Sequence, residues 1–316
     1  MMRRGFLRLA GSAVLAGACA PATRSLTHAK TAATEQRAIA AVAFDLFTVF
    51  DVRGIDRRVV AVLGEGPLAA TWKARLFEYS WLRAVSGNYV DFERLVHDSL
   101  SFAARTHGVT LSEPTRKQLE SAFVELEPWP DSVVTLRELR ARGLRLAPLA
   151  NFAPRMIESL LRHADLHDAF DAFISTDLAR TYKPDPKAYA LGESVLGLPR
   201  ERIAFAAFGG WDAVGGSWFG YPTFWVNRLG TSSEELGASI SSGPDLRAFS
   251  AWLSRYESEH AGRVNLGRIS VAGVGEGAVL VAGEGDPVGL HDDRVKLVVP
   301  RPGSNFDSNR WSIERR

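Results

Sequence analysis

The sequence predicts an α/β fold, a doubly wound parallel sheet with a Rossmann-like core and an inserted helical cap subdomain. Short apolar runs typical of buried parallel strands alternate with segments of helical periodicity. Several of these runs end in a polar residue, as strands do where a parallel sheet forms its ligand site. A long stretch of helical periodicity, from Ile55 to about Glu127, separates the first run from the second.

The elements follow in order along the chain. The first strand begins at Ala38 and ends in Asp45, and four more are predicted at residues 144–150, 170–175, 202–208 and 223–227. Helices are predicted at 132–139, with Gly143 just beyond, at 154–161, with proline in the first turn, and at 185–196. We assign residues 38–54 and 131–256 to the core, 55–130 to the helical cap and 257–316 to a C-terminal extension of unknown role. Gly- and Val-rich segments of this extension, at 267–275, 278–282 and 295–299, indicate either three short strands or a largely disordered tail.

The composition indicates a domain that acts on or binds a small molecule. The formal net charge is only +2, from 38 basic and 36 acidic residues, whereas nucleic-acid-binding proteins show a clear positive excess. The one cysteine, Cys19, lies near the N-terminus, so the predicted domain can form no internal disulfide and has no cysteine nucleophile. The seven histidines show no metal-ligand spacing such as HExxH, and the sequence predicts no metal site.

The N-terminal segment is typical of an export signal. Arg3 and Arg4 precede Phe6 and a short apolar run that is rich in small residues, a pattern that resembles a twin-arginine signal. The residues before Cys19 also resemble a lipoprotein cleavage box, which would make Cys19 the lipidation site and attach the protein to the membrane. Residues 21–36 are rich in Ala, Thr and Ser and indicate a flexible tether. We therefore expect an exported protein, periplasmic or anchored on the periplasmic side of the membrane.

Asp45 is the first candidate catalytic residue. A carboxylate at the end of a buried strand can act as a covalent nucleophile, although it can equally be a helix N-cap. The segment from Phe44 to Val52 resembles the first motif of the haloacid dehalogenase superfamily, in particular its type II (L-2-haloacid) dehalogenases. It is one residue shorter, so the motif threonine corresponds to Thr48 or to Val49. Phosphatases of the superfamily have a second aspartate where this chain has Phe47, and an aromatic ring can neither protonate a leaving group nor hold a hydrated cation.

A second resemblance lies in the predicted cap. The segment from Trp72 to Arg83 is similar to one whole helix of the type II dehalogenase cap. The resemblance places Lys73 at the halide-binding arginine, which keeps the charge but loses the planar guanidinium. It also places Phe77 and Phe92 at positions that line the substrate pocket, where Phe47 and Thr48 are expected as well.

Two further motifs follow the second and third strands. Asn151 matches an asparagine that helps to hold the leaving halide, while the family's adjacent serine is Ala150 here. Lys183 lies in a Tyr-Lys-Pro-Asp sequence that resembles the third superfamily motif, where the ammonium group neutralises and orients the nucleophile. The resemblance also gives Tyr189 an active-site role, and we expect Lys183 to be partly exposed at a cleft.

The motif after the fourth strand keeps two residues of the type II pattern and changes two that could hydrogen-bond. Trp211 corresponds to a substrate-contacting residue, and Asp212 would activate or position the hydrolytic water. The family's serine and asparagine correspond to Ala207 and Gly209. Phe208 stands where the phosphatases have a metal-binding acid, which again predicts chemistry without a metal.

The resemblance implies a cofactor-free hydrolase that cleaves the carbon–halogen bond of a short 2-haloacid. Asp45 would form an ester with the substrate, and Lys183 and Asp212 would complete the catalytic set. The expected partner is a small organic acid, and the family also implies a homodimer. Two alternatives stay open: a divergent, non-catalytic member that binds a small anion at the cell envelope, and a phosphatase.

Overall fold

The central feature of the fold is one parallel sheet of six strands. The computed structural model of the chain describes residues 38–266, 295–297 and 313–315. The strand order is β3-β2-β1-β4-β5-β6, so the chain builds the sheet outward from β1 first on one side and then on the other. The strands are β1 Ala41–Phe44, β2 Arg145–Ala150, β3 Ile174–Ser175, β4 Ile203–Ala207, β5 Thr223–Val226 and β6 Ser241–Gly243. This is the predicted doubly wound topology.

The three central strands bring the candidate residues to one edge of the sheet. Every residue of β1 and β4 is buried, as expected for apolar strands covered by helices on both faces. In the parallel register Phe44 lies opposite Pro148 of β2 and Ala206 of β4. The strands therefore end side by side, and Asp45 and Asn151 follow them at the same edge, where parallel sheets bind ligands.

The helices within the described residues include every predicted one and three more, which begin at Leu46, Gly210 and Leu246. They are α1 Leu46–Val49, α2 Arg53–Leu63, α3 Leu68–Ser86, α4 Phe92–Thr106, α5 Glu113–Glu120, α6 Ser132–Ala141, α7 Pro154–His163, α8 Pro186–Leu196, α9 Gly210–Phe219 and α10 Leu246–Leu266. Helices α2 to α5, together with a 3-10 turn at Ser121–Val124, lie between β1 and β2 in the chain. This is the helical insert that the periodicity predicts.

Trp72 is the main internal support of the insert. Its side chain is fully buried, its indole N–H donates to the Val96 carbonyl on α4, and its ring packs edge-on against Phe123 at 5.4 Å. The two segments that connect the insert to the core also pair with each other, because Phe50 forms an isolated antiparallel bridge with Pro128. The insert is therefore held firmly where it leaves and re-enters the core.

The third strand is much shorter than the predicted 170–175. Only Ile174 and Ser175 pair with β2. The preceding residues follow β2 through Asp171, whose backbone N–H donates to the Leu146 carbonyl and whose side chain accepts from the Leu146 N–H. A side-chain carboxylate thus replaces the carbonyl that a strand would offer, and regular pairing begins only after it.

The C-terminal part of the core contains two elements that the sequence did not predict. Strand β6 is short and largely exposed, and it lacks the apolar pattern that indicates a strand. Helix α10 ends at Leu266, so the predicted boundary after residue 256 falls within it. Of the three strands expected in the extension, Val295–Leu297 (β7) pairs antiparallel with Ile313–Arg315 (β8), and the other two lie outside the described residues. None of the helices within the described ranges is long and apolar enough to cross a membrane.

Candidate active site

Asp45 serves at once as a helix cap and as an acidic group at the strand end. Its side chain accepts the Phe47 N–H at 2.8 Å through Oδ1, which caps α1. The Thr48 N–H and hydroxyl both donate to the Asp45 carbonyl, at 3.0 and 2.7 Å. The structure therefore confirms the helix cap at Asp45; capping uses Oδ1 and leaves Oδ2 to a second partner.

Lys183 lies between two carboxylates. Its Nζ donates to Asp45 Oδ2 and to Asp212 Oδ2, each at 2.7 Å, and its side chain is 1% exposed. The expectation of a partly exposed lysine was wrong, because Asp212 covers the side of the ammonium group that faces away from the strand end. Burial alone would lower the pKa of Lys183, but the two carboxylates outweigh it and the pKa is raised. Lys183 is therefore a permanent cation.

Asp212 is fully buried and hydrogen-bonded at both oxygens. Oδ2 accepts from Lys183, and Oδ1 accepts from the Tyr189 hydroxyl at 2.8 Å. Burial raises the pKa of Asp212 above its ordinary value, Lys183 opposes that rise, and the nearby Asp45 adds to it. The pKa of Tyr189 is also raised well above its ordinary value by burial and by Asp212, so the phenol remains a donor.

Two local features hold this triad of Asp45, Lys183 and Asp212 in place. Asn151 Oδ1 accepts the Lys183 backbone N–H at 2.9 Å, which fixes the loop that carries the lysine. A side chain at Gly215 would begin 2.5 Å from the Tyr189 hydroxyl, so only glycine lets Tyr189 reach Asp212.

A cavity of about 520 Å³ opens in front of Asp45, lined by the core and by the helical insert. The predicted site residues that line it are Asp45, Phe47, Lys73, Phe77, Phe92, Asn151 and Trp211. Thr48 and Tyr189 do not line it, because their hydroxyls bind the Asp45 carbonyl and the Asp212 carboxylate instead. Lys183 and Asp212 lie behind Asp45 and are not among the lining residues. The structure thus separates the predicted residues into a cavity wall and a buried charge network.

Aromatic rings form much of the cavity wall. Phe77 of α3 packs edge-on against Trp211 of α9 at 5.8 Å, so the insert and the core meet at this wall. Phe47 contacts Phe152 and Phe208 at 5.8 and 5.7 Å. The wall therefore favours an apolar group on the ligand and excludes water from it.

The Trp211 indole explains part of the changed fourth motif. A side chain at Gly209 would begin 2.7 Å from the Trp211 Nε1, inside van der Waals contact. The family's asparagine therefore fits at position 209 only if Trp211 moves. The position of the Trp211 ring in the cavity wall therefore excludes the asparagine side chain and its hydrogen bonds from position 209.

Lys73 is already paired with an acid that the sequence analysis did not identify. Its Nζ lies 2.7 Å from the carboxylate of Asp56 on α2, and both side chains are partly exposed. Asp56 does not line the cavity and lies outside every motif that we recognised, so no sequence signal indicated it. Glu234, in the loop after β5, was missed for the same reason and lies at the cavity.

Within residues 38–266, 295–297 and 313–315, no group of three or more His, Cys, Asp or Glu side chains could hold a metal ion. Phe47 and Phe208, the aromatic residues that replace phosphatase acids, contact each other at the cavity. The expected lipidation site, Cys19, and the whole export signal lie outside the described residues.

Comparison with known proteins identifies close relatives. The family of haloacid dehalogenase-like hydrolases matches residues 26–220. An (S)-2-haloacid dehalogenase from Pseudomonas sp. (strain YL) is 42% identical over 202 residues, which cover 63% of this chain and 87% of that enzyme. The match therefore includes nearly all of the relative.

Solved structures agree with this match. A crystal structure of an L-2-haloacid dehalogenase aligns with a TM-score of 0.66 at 33% identity, covering 69% of this chain and 99% of that one. The L-2-haloacid dehalogenase from Xanthobacter autotrophicus, solved with chloropropionic acid covalently bound, aligns with a TM-score of 0.63 at 33% identity. That alignment covers 69% of this chain and 98% of the Xanthobacter chain.

Proposed function

The chain belongs to the haloacid dehalogenase-like hydrolases and resembles their type II dehalogenases, and from this premise we propose that it cleaves the carbon–halogen bond of a short 2-haloacid through an ester on Asp45. The observation that carries the proposal is the Asp45 carboxylate, which faces the cavity while Lys183 holds it from behind at 2.7 Å. The covalent chloropropionic acid in the Xanthobacter relative supports an ester intermediate.

In the first step a carboxylate oxygen of Asp45 attacks C2 of the substrate. The new C–O bond forms as the carbon–halogen bond breaks, and the halide leaves with the bonding electron pair. The triad carries a net charge of −1 before this step and is neutral after it, because Asp45 has become an ester. The charge of Lys183 then balances that of Asp212 alone, so the buried network is neutral until water hydrolyses the ester.

In the second step water attacks the ester carbonyl of Asp45 and releases the 2-hydroxyacid, which keeps the configuration at C2 that the displacement of the first step inverted. We assign the proton-accepting role to Asp212, which reaches Asp45 through the shared Lys183. Its raised pKa suits a general base that works near neutral pH better than an ordinary aspartate would. Tyr189 keeps the Asp212 carboxylate in a fixed orientation.

The halide and the substrate carboxylate have few donors in this cavity. Asn151 uses its Oδ1 on the Lys183 N–H, which leaves its Nδ2 to donate to a ligand. Lys73 supplies a cation but shares it with Asp56. Ala150 supplies no hydroxyl, and a lost hydrogen bond to a charged group costs about 1.5–3 kcal/mol. We therefore expect turnover with weak binding of short haloacids.

A release assay on the purified mature protein tests the proposal directly. We expect halide from (S)-2-bromopropionate or (S)-2-chloropropionate and no phosphate from phosphate monoesters. Phosphate release that depends on Mg²⁺ would favour the phosphatase alternative. Silence with every substrate, together with binding of small anions, would favour the non-catalytic alternative.

Halide release is expected to survive excess EDTA, with kcat changed by less than twofold. The reason is that Phe47 and Phe208 occupy the positions where metal-dependent relatives place carboxylates, and these rings contact each other at the cavity. The measurement compares initial rates before and after chelation and after Mg²⁺ is returned. Activity lost on chelation and restored by Mg²⁺ would contradict this prediction.

Export is a separate proposal that concerns the N-terminal segment alone. A fusion of residues 1–37 to a folded reporter is expected to leave the cytoplasm, because Arg3 and Arg4 precede an apolar run in the twin-arginine pattern. Conversion of both arginines to lysine should retain the reporter, as measured by cell fractionation. Retention of the unmodified fusion would contradict the proposal. Lipidation at Cys19 and the homodimer stay predictions.

A further inference from the structure

We propose that Asp56 is a specificity-determining residue that neutralises Lys73 and shifts the preference of the cavity from haloacid anions toward uncharged 2-halocarbonyl compounds, such as 2-haloamides. This inference rests on the proposed function, because it concerns which substrates reach Asp45. Asp56 itself does not line the cavity, so it acts on the substrate only through Lys73.

The charged side chains around the cavity disfavour an anionic ligand. Among the residues described as lining it, Lys73 has the single positively charged side chain, whereas Asp45 and Glu234 are acidic. The other nearby cation, Lys183, is buried behind Asp45 and shared by Asp45 and Asp212. With Lys73 paired to Asp56, the described groups leave a net negative charge beside the cavity, which repels an anion.

Several polar side chains of the cavity wall are already hydrogen-bonded within the protein. A substrate carboxylate needs several donors, but Ser80 donates its hydroxyl to the Phe77 carbonyl. The Asn227 side chain is engaged with Thr231, which leaves the Nδ2 of Asn151 as a donor at the strand end. A neutral amide donor beside an aromatic wall suits a carbonyl or amide oxygen, whereas a carboxylate would lose more hydration than the wall returns.

The Lys73–Asp56 pair is accessible enough to be changed without damage to the fold. The side chains are 35% and 39% exposed, so the pair contributes little to stability. Asp56→Asn therefore removes the competing charge and leaves Lys73 free to bind a ligand anion. The same substitution leaves an uncharged ligand with almost the same surroundings.

The test compares (S)-2-bromopropionate with (S)-2-bromopropanamide, which share the carbon skeleton and the leaving group. We expect Asp56→Asn to raise kcat/KM for the acid about threefold or more, through KM, and to change that for the amide by less than twofold. Comparison of variant with wild type for each substrate cancels the difference in their intrinsic reactivity. The gain for the acid is expected to shrink at high salt, because the freed charge is exposed to solvent.

Asp98→Asn is the matched control. Asp98 lies on α4, pairs with Arg94 at 2.9 Å and does not line the cavity, so its loss changes the net charge equally without freeing Lys73. It should leave both substrates within twofold of wild type. An acid-to-amide ratio that stays constant in Asp56→Asn, or that rises equally in Asp98→Asn, would overturn the inference.

A binding measurement separates this inference from the proposed function. Propionate and propionamide cannot react, so ligand-observed NMR reports their affinities whether or not halide is released. We expect wild type to bind propionamide at least as tightly as propionate, and Asp56→Asn to bind propionate about threefold more tightly. Tighter wild-type binding of propionate, or no change in the variant, would overturn the role of Asp56. Absence of halide release with these binding results intact would overturn only the proposed function.

Discussion

Asp45→Asn is expected to abolish halide release, with kcat falling by about four orders of magnitude or more. The substitution removes the anionic oxygen that forms the ester, and no other described carboxylate that lines the cavity is held by Lys183. An amide oxygen is a poor nucleophile, so the covalent route closes while the shape of the site is kept. Steady-state halide release, followed with a halide-selective electrode, measures the loss.

The fold of this variant should survive, for a reason visible at α1. Asp45 caps that helix through Oδ1, and asparagine is an equally good N-cap that also accepts the Phe47 N–H. Lys183 also keeps Asp212 as its ionic partner, so the thermal midpoint is expected to stay close to that of the wild type. Asp168→Asn makes the same chemical change at a fully exposed position and should leave kcat unchanged.

Isotopic labelling distinguishes a covalent ester from direct attack by water. A single turnover in H₂¹⁸O with excess enzyme should place ¹⁸O in the Asp45 carboxylate, because water attacks the ester carbonyl rather than C2. Mass spectrometry of the peptide that contains Asp45 measures the label. Label found only in the product, together with an active Asp45→Asn variant, would contradict the covalent mechanism and favour water held by Asp212.

Much of the fold followed from local patterns in the sequence. The apolar run that ends in Asp45 and the run that ends in Ala150 both form buried parallel strands, because residues that face helices on both sides of a sheet are apolar throughout. The capping glycine at 143 and the proline at 154 also mark helix ends as expected. The third strand was overextended because Asp171 uses its side chain in place of regular pairing.

The arrangement of the site was less predictable, because it depends on contacts between distant segments. The motifs predicted that Asp45 and Lys183 lie together. They did not predict the burial of Lys183, because that depends on Asp212, 29 residues later in the chain. We expected Thr48 and Tyr189 to contact a ligand, but their hydroxyls donate to the Asp45 carbonyl and the Asp212 carboxylate instead. A hydroxyl has the same sequence signature in either role, and only the fold decides between them.

Lys183→Met is expected to lower kcat by two or more orders of magnitude and to destabilise the protein. Methionine keeps the length of the side chain but leaves Asp45 and Asp212 close together without a cation. Loss of one partner from a buried ion pair costs about 3–5 kcal/mol, which urea unfolding should detect. Lys187→Met, the same change at an exposed position of α8, should affect neither kcat nor stability. Activity of Lys183→Met within tenfold of wild type would contradict the assigned role.

The double variant Asp45→Asn/Lys183→Met shows whether the two residues act as one unit. If Lys183 acts by holding and neutralising the nucleophile, its loss cannot matter further once the nucleophile is absent, so the double variant should be no less active than Asp45→Asn. Stability should show the opposite sign of coupling, because removal of the Asp45 charge relieves the repulsion that Lys183→Met creates with Asp212. We therefore expect the double variant to unfold at a higher urea concentration than Lys183→Met alone. Additive losses of activity would instead mean that Lys183 acts on the substrate independently of Asp45.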